Sequence, residues 1–195
     1  MILEQTISVL ASLSLITVIV ILIFTIKFRN FKKNFFKNFY ELPSIIVTGP
    51  AASGKKSIIS NVTRDRIVSH PFEDNLKISY LSEGDKKIQM ISLPYNFIDD
   101  FVNSEDFKKM NSKLFINVFD VSTNSDDIED QIRDFEKNSA YFDHVDKILI
   151  ANKTDIADSK KLKKLETKFK KIHKTSSATK EGLEKLRDSI LQKIK

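Results

Sequence analysis

A chain of 195 residues has room for one ordinary domain and an appendage, which leaves no space for a second enzyme domain. It has no cysteine, so a disulfide framework, a thiolate metal site and a cysteine nucleophile are excluded, and the usage fits a reducing compartment. With 32 Lys and Arg against 26 Asp and Glu the formal net charge is +6, a mixed surface from which direct nucleic-acid binding does not follow and is not expected.

Residues 1–6 carry one charged side chain, Glu4. Residues 7–26 (ISVLASLSLITVIVILIFTI) then run for twenty positions without a charge, interrupted only by hydroxyls that can bond back to helical carbonyls. That length matches ~30 Å of hydrocarbon. A cleaved secretory signal would start basic, have a shorter apolar core and end at a small-residue cleavage site, and this segment shows none of these features. The following stretch, KFRNFKKNFFK, brings Lys27, Arg29, Lys32, Lys33 and Lys37, interleaved with Phe28, Phe31, Phe35 and Phe36 and continued by Phe39 and Tyr40. By the positive-inside rule this flank is cytosolic, and its cations and rings suit an anionic headgroup layer. The expected organisation is a non-cytosolic 1–6, a transmembrane helix 7–26, a basic aromatic juxtamembrane linker 27–43 in contact with lipid, and a cytosolic domain 44–195.

Beyond Pro43, short β-branched runs alternate with amphipathic charged segments, the pattern of an α/β fold with a mostly parallel sheet. Strands are predicted at 44–48, 76–81, 87–93, 114–120 and 147–151, with a short sixth near Lys171. The second and third are separated only by Ser82, Glu83, Gly84, Asp85 and Lys86, too few for a crossover helix, so they form an antiparallel hairpin. Residues 126–138 place Ile128, Ile132 and Phe135 on one helical face, and residues 181–194 do the same with Leu183, Leu186, Ile190 and Ile194. Six strands and five helices are expected in this part of the chain.

Chemistry concentrates at two places. Gly49, Pro50, Ala51, Ala52, Ser53, Gly54 and Lys55 fit the phosphate-loop pattern G-x-x-x-x-G-K between a strand and a helix. Glycines there let backbone N–H groups face phosphate oxygens, the helix N-terminus adds a favourable dipole, and Lys55 reaches the terminal phosphates. The next residue, Lys56, stands where a magnesium-ligating Ser or Thr is usual. Ser57 is no simple substitute, because one helical step turns a side chain by roughly 100°. Lys56 either neutralises phosphate charge or points to solvent, and the sequence leaves both open.

The second place is Asn152, Lys153, Thr154 and Asp155, an N-K-x-D tetrapeptide at the C-terminal end of a strand, where open α/β sheets bind ligands. A carboxylate such as Asp155 can accept from both N1–H and the 2-amino group of guanine, and adenine offers no such pair. Asn152 is expected to tie neighbouring loops together, and the stem of Lys153 to cover a face of the base. Downstream, Ser176, Ser177 and Ala178 lie in a loop before the last helix, with Ser177 and Ala178 as further guanine-binding candidates.

Together, GPAASGK, NKTD and SSA resemble the small GTPase superfamily over roughly 44–195, which implies a Ras-like P-loop GTPase domain and GTP as the bound ligand. Neither a myristoylation glycine nor a prenylation cysteine is present, and a membrane span preceding such a domain is similar to the family of beta subunits of the signal recognition particle receptor. The segment LFINVFDVSTN, ending a strand at Asp120, looks like its counterpart there. That resemblance implies an endoplasmic reticulum membrane location, an alpha subunit of the same receptor as partner, ribosome and translocation channel as indirect partners, and a nucleotide acting as a structural switch. A membrane-bound GTPase of vesicle trafficking and a nucleotide-free scaffold are the alternatives.

Departures from the family are equally informative. Where the family carries D-x-P-G after its third strand, this chain has Ser92, Leu93, Pro94 and Tyr95, followed by Asn96. Ser92 lacks the charge of a magnesium-shell carboxylate, and Tyr95 puts a bulky side chain near the γ-phosphate position. With Lys56 also altered, magnesium loses its usual ligands and weak or absent hydrolysis is expected; no catalytic residue and no metal ligand is assigned. Thr63 and Ser69 are the hydroxyls nearest a switch position, and His70 reads as a loop residue.

Overall fold

A computed structural model describes the backbone of residues 2–70 and 73–194, and the side chains of 16–33, 39–69, 76–104 and 107–194. The chain divides into two compact units, residues 1–41 and 42–195.

The first unit is one helix, α1 (Ile2–Glu41), of 40 residues, about 60 Å long at the usual rise. Thr25 sits within its apolar run and donates its hydroxyl to Ile21 O at 2.8 Å, the back-bonding that lets a hydroxyl ride on such a helix. Among the described residues no helix is long and apolar enough to cross a membrane. Residues 7–15 of the expected span, and Phe35, Phe36 and Lys37 of its flank, lie outside the residues whose side chains are described.

The second unit is a seven-stranded mixed sheet in the order β2-β3-β4-β1-β5-β6-β7. Its strands are β1 (Pro43–Gly49), β2 (Val68–His70), β3 (Glu73–Glu83), β4 (Lys86–Pro94), β5 (Asn111–Asp120), β6 (Asp146–Asn152) and β7 (His173–Thr175). The helices are α2 (Lys55–Thr63), α3 (Ile98–Asn103), α4 (Glu105–Lys109), α5 (Ile128–Ser139), α6 (Ser159–Lys168) and α7 (Leu183–Lys193). Every parallel contact involves β1, β4, β5, β6 or β7, while β3 runs antiparallel to both β2 and β4.

Six strands were expected, and the additional one is β2. Its three residues are too few to show an alternating pattern, and they become a strand only by pairing with β3, Val68 opposite Ile78 and Ser69 opposite Lys77. His70, read as a loop residue, closes this strand instead. The last strand also falls two residues later than expected, at 173–175 rather than around Lys171. The predicted hairpin is present with a tighter connection, Glu83 pairing with Lys86 across Gly84 and Asp85.

The sheet's two faces are filled differently. Against one face α2 and α7 pack Ile58, Ile59, Val62, Leu186 and Ile190 on Ile45, Val47, Met90, Ile116, Val118 and Ile150, an aliphatic core whose members are nearly all solvent-free. The other face is aromatic: Phe115 stacks on Phe142 at 4.3 Å, and Phe119 meets Phe135 and Phe169, each at 5.7 Å. Phe135 comes from α5, whose predicted stripe of Ile128, Ile132 and Phe135 is buried as expected. Dual coverage of this kind is why the central strands read as continuous apolar runs. β1 lies between β4 and β5, so successive parallel strands leave it in opposite directions, and the loop after β1 emerges where the sheet changes direction.

Candidate functional site

The loop leaving β1 is built by two close approaches. A Cβ on Gly49 would stand 2.3 Å from Val118 O, so β5 leaves no space for a side chain. Gly54 has φ +90°, and a Cβ there would meet Asn152 Nδ2 at 2.3 Å. Both glycines of the sequence pattern are thus fixed by backbone shape and by contact with other strands. Between them Ala52 adopts φ 55°, a left-handed conformation in a residue with a Cβ. Helix α2 starts at Lys55 with no side-chain cap and no acid in its first turn. Its leading N–H groups therefore keep the positive character that attracts an anion.

Lys55 folds over this loop and donates to Gly49 O at 2.8 Å and Pro50 O at 2.5 Å. An ammonium has three donors, so one N–H remains beyond those two carbonyls. Burial, and then the charge of neighbouring Lys56, lower its pKa from 10.5 to about 8.

Asn152 joins the two motifs. It is fully buried at the end of β6. Its Nδ2 donates to Ser53 O at 2.8 Å, and its Oδ1 accepts from Thr175 Oγ1 at 3.1 Å and from Ser177 N and Oγ at 3.2 Å each. One side chain therefore holds the phosphate-type loop, the end of β7 and the Ser177 turn together, the tying role expected of it. Thr154 adds a bond to Thr175 O at 3.0 Å. Asp155 stands exposed in the short 3-10 segment Thr154–Ile156, directly after this joint, and Ala178 is exposed in the loop of Ser177.

Lys153 is held by its backbone and by its ammonium. Its backbone is left-handed, φ 66°, and its Nζ donates to Asp120 Oδ2 at 2.5 Å, which fixes the direction of its stem. Burial opposes ionisation of Asp120, but hydrogen bonds from Lys153 and from the Ser122 hydroxyl and N–H outweigh it and hold the carboxyl below its ordinary pKa.

Beside the start of α2 lies a cleft of about 520 Å³ bordered by Lys55, Lys56, Ser57, Lys77, Ser92 and Pro94 among others. Lys56, left open by the sequence, thus borders the cleft. Ser57, expected to turn away, borders it as well. Lys77, which no sequence motif marks, borders it too. It lies directly opposite Ser92 on the adjacent strand, and its Nζ donates to Ser69 Oγ at 2.8 Å. The clue was the hairpin: residues 77 and 92 are equidistant from the Gly84–Asp85 turn, so a two-residue connection alone sets them side by side. Ser69, one of the two candidate switch hydroxyls, is therefore a partner of Lys77. The other, Thr63, is buried within the fold, bonded to Ile59 O at 2.8 Å and Ser79 Oγ at 2.9 Å.

Tyr95 does not border this cleft. Its hydroxyl donates to Asn117 Oδ1 of β5 at 2.7 Å, and burial raises its pKa. The expected bulk near a γ-phosphate is thus directed into the protein. Magnesium fits the donor set poorly. A hard divalent cation seeks carboxylate and hydroxyl oxygens, and this cleft offers two serine hydroxyls among three lysines. Among the described residues no group of three His, Cys, Asp or Glu could hold a metal ion.

Comparison with solved structures places this architecture in a class. The chain matches nucleolar GTP-binding protein 1 of Plasmodium falciparum with TM-score 0.61 and 17% identity, over 80% of this chain and 87% of that one. It matches the G domain of the iron transporter FeoB of T. maritima with TM-score 0.55 and 23% identity, over 80% of this chain and 100% of that one. Translation elongation factor SelB of Methanococcus maripaludis matches with TM-score 0.56 and 16% identity, over 80% of this chain and 34% of that one. No family model and no curated protein sequence matches. The chain therefore has the α/β fold of P-loop GTP-binding proteins.

Proposed function

We propose that this chain binds a guanine nucleotide, GTP or GDP, as a membrane-anchored receptor subunit whose output is association with a partner protein. The observation that carries nucleotide binding is Asn152. It bonds both Ser53 of the phosphate-type loop and Ser177 of the following turn, so the phosphate end and the base-reading Asp155 are held in one unit. A bound nucleotide would lay its phosphates on the N–H groups of 53–57 and its base between Lys153, Asp155 and the Ser177–Ala178 turn. Asp155 would accept from the guanine edge.

The anchor and partner parts of the proposal rest on sequence: the uncharged 7–26, the basic aromatic 27–43 and the resemblance to the beta subunit of the signal recognition particle receptor. On that reading the chain sits in the endoplasmic reticulum membrane with its C-terminal domain in the cytosol. There it holds the receptor's alpha subunit for co-translational targeting, with ribosome and translocation channel as indirect partners. Ser92 and Lys56 in place of magnesium-linked groups support binding with weak or no hydrolysis.

The test is direct. Protein extracted in detergent without added nucleotide is denatured, and the released small molecules are chromatographed. Guanine nucleotide is expected. Its lack across preparations, together with no GTP affinity by titration, overturns the nucleotide part. Co-purification of the receptor alpha subunit from solubilised membranes tests the partner, and a clean pull-down without it overturns that part.

A further inference from the structure

The cleft at the start of α2 is a place where a nucleotide-binding fold ordinarily concentrates divalent positive charge, and here the charge comes from side chains. Lys56 follows Lys55 at the first turn of α2, and Lys77 enters from β3 opposite Ser92. Directly opposed residues on paired strands have side chains about 5 Å apart, so the Lys77 stem starts next to the position where a metal-shell carboxylate would have been. Ser69 Oγ, at 2.8 Å from Lys77 Nζ, steadies that ammonium from β2.

Two changes that would each weaken a magnesium site, Lys56 and Ser92, thus coincide with a third residue that supplies cationic charge to the same cleft. A metal ion would meet repulsion from three ammonium groups there, whereas a polyphosphate would be neutralised by them.

We infer that Lys56 and Lys77 take the place of the divalent cation, so that this chain binds its nucleotide without magnesium. This rests on the nucleotide-binding reading above and specifies how the same site manages phosphate charge. Lys55 stays the loop lysine, bonded to Gly49 and Pro50, and the other two ammonium groups cover the outer phosphate oxygens. No bond is made or broken in this step. The consequence is an affinity that does not respond to chelation, and the charge that replaces the metal cannot be exchanged or washed away.

The experiment uses the full chain in detergent and a fluorescent GTP analogue, titrated once with magnesium and once with excess EDTA. The two dissociation constants are expected to agree within about twofold. Lys77→Gln and Lys56→Gln are each expected to weaken binding about tenfold in both buffers. The double variant Lys56→Ser with Ser92→Asp, which restores oxygen donors, is expected to become sensitive to EDTA. Binding to the unmodified chain that falls tenfold or more in EDTA overturns the inference while leaving nucleotide binding intact. Unchanged affinity in Lys77→Gln, with circular dichroism showing the fold preserved, also overturns it. No binding in either buffer overturns the nucleotide reading itself, and the inference with it.

Discussion

The two ends of the candidate site follow the expected pattern to different degrees. At the expected base end, hydrogen bonds join Asn152 to Thr175 and Ser177 and Thr154 to Thr175 O, next in sequence to an exposed Asp155, and every residue of the N-K-x-D pattern is present. At the phosphate end the loop and Lys55 are kept, but the positions beside them hold Lys56, Ser92 and Lys77. On the proposed reading, recognition of a ligand and chemistry upon it are carried by separate parts of the site. The base end is cross-linked through a buried amide and tolerates little change. Of the metal-linked positions, Lys56 is exposed at the cleft, where a change of side chain costs little in packing, whereas Ser92 borders the cleft from a buried position on β4.

The sharpest way to break this contrast is Asn152→Ala. It strands Ser53 O, the Thr175 hydroxyl and the Ser177 N–H in a buried site, and is expected to cost about 3 kcal/mol of stability, read by thermal or denaturant unfolding. A loss below 1 kcal/mol would mean that the joint is not the fastening described.

Next in size, Asp155→Ala is expected to erase guanine-over-adenine preference by on the order of 100-fold while leaving stability within about 0.5 kcal/mol, since the side chain is exposed. Competition of GTP and ATP against a fluorescent GTP analogue measures it; an intact preference would remove Asp155 from its role.

A smaller effect concerns the phosphate end. Because the folded pKa of Lys55 is lowered to about 8, the free fold gains stability as pH rises from about 8 through 10.5, where the unfolded lysine still holds its proton. A polyphosphate favours the ammonium, so the sign reverses for binding: affinity is expected to be flat below about pH 8 and to fall by up to about tenfold per pH unit above it. Titration at pH 7, 8 and 9 checks this, and an affinity that rises with pH contradicts it. The smallest effect has the opposite direction, since Ala52→Gly relieves a left-handed alanine at φ 55° and is expected to stabilise the domain by about 0.5 kcal/mol. Differential calorimetry would show it as a raised Tm.

How much of this was legible follows the range of the interactions. The loop 49–55 and the tetrapeptide 152–155 are contiguous, so their patterns survive in the sequence, and the helical stripe of Ile128, Ile132 and Phe135 was readable for the same reason. Lys77 was not, because its place depends on the register of a hairpin partner fifteen residues away. The direction of Tyr95 was hidden too: only the position of Asn117 on the far side of β1 decides that its hydroxyl points inward. β2 leaves no trace in the sequence because three residues carry no periodicity.

That same short strand has a consequence away from the ligand. β3 is 11 residues long and lies near the margin of the sheet, and a long strand with one unpaired side is a template on which another chain can add. β2 closes part of that side, and Ser69 bonds to Lys77 where the two meet. The free margin beyond them ends at a hairpin tip carrying Glu83, Asp85, Lys86 and Lys87, charges that discourage a neighbouring strand from joining. Three residues that contribute almost nothing to the core thus cover part of the open edge of β3.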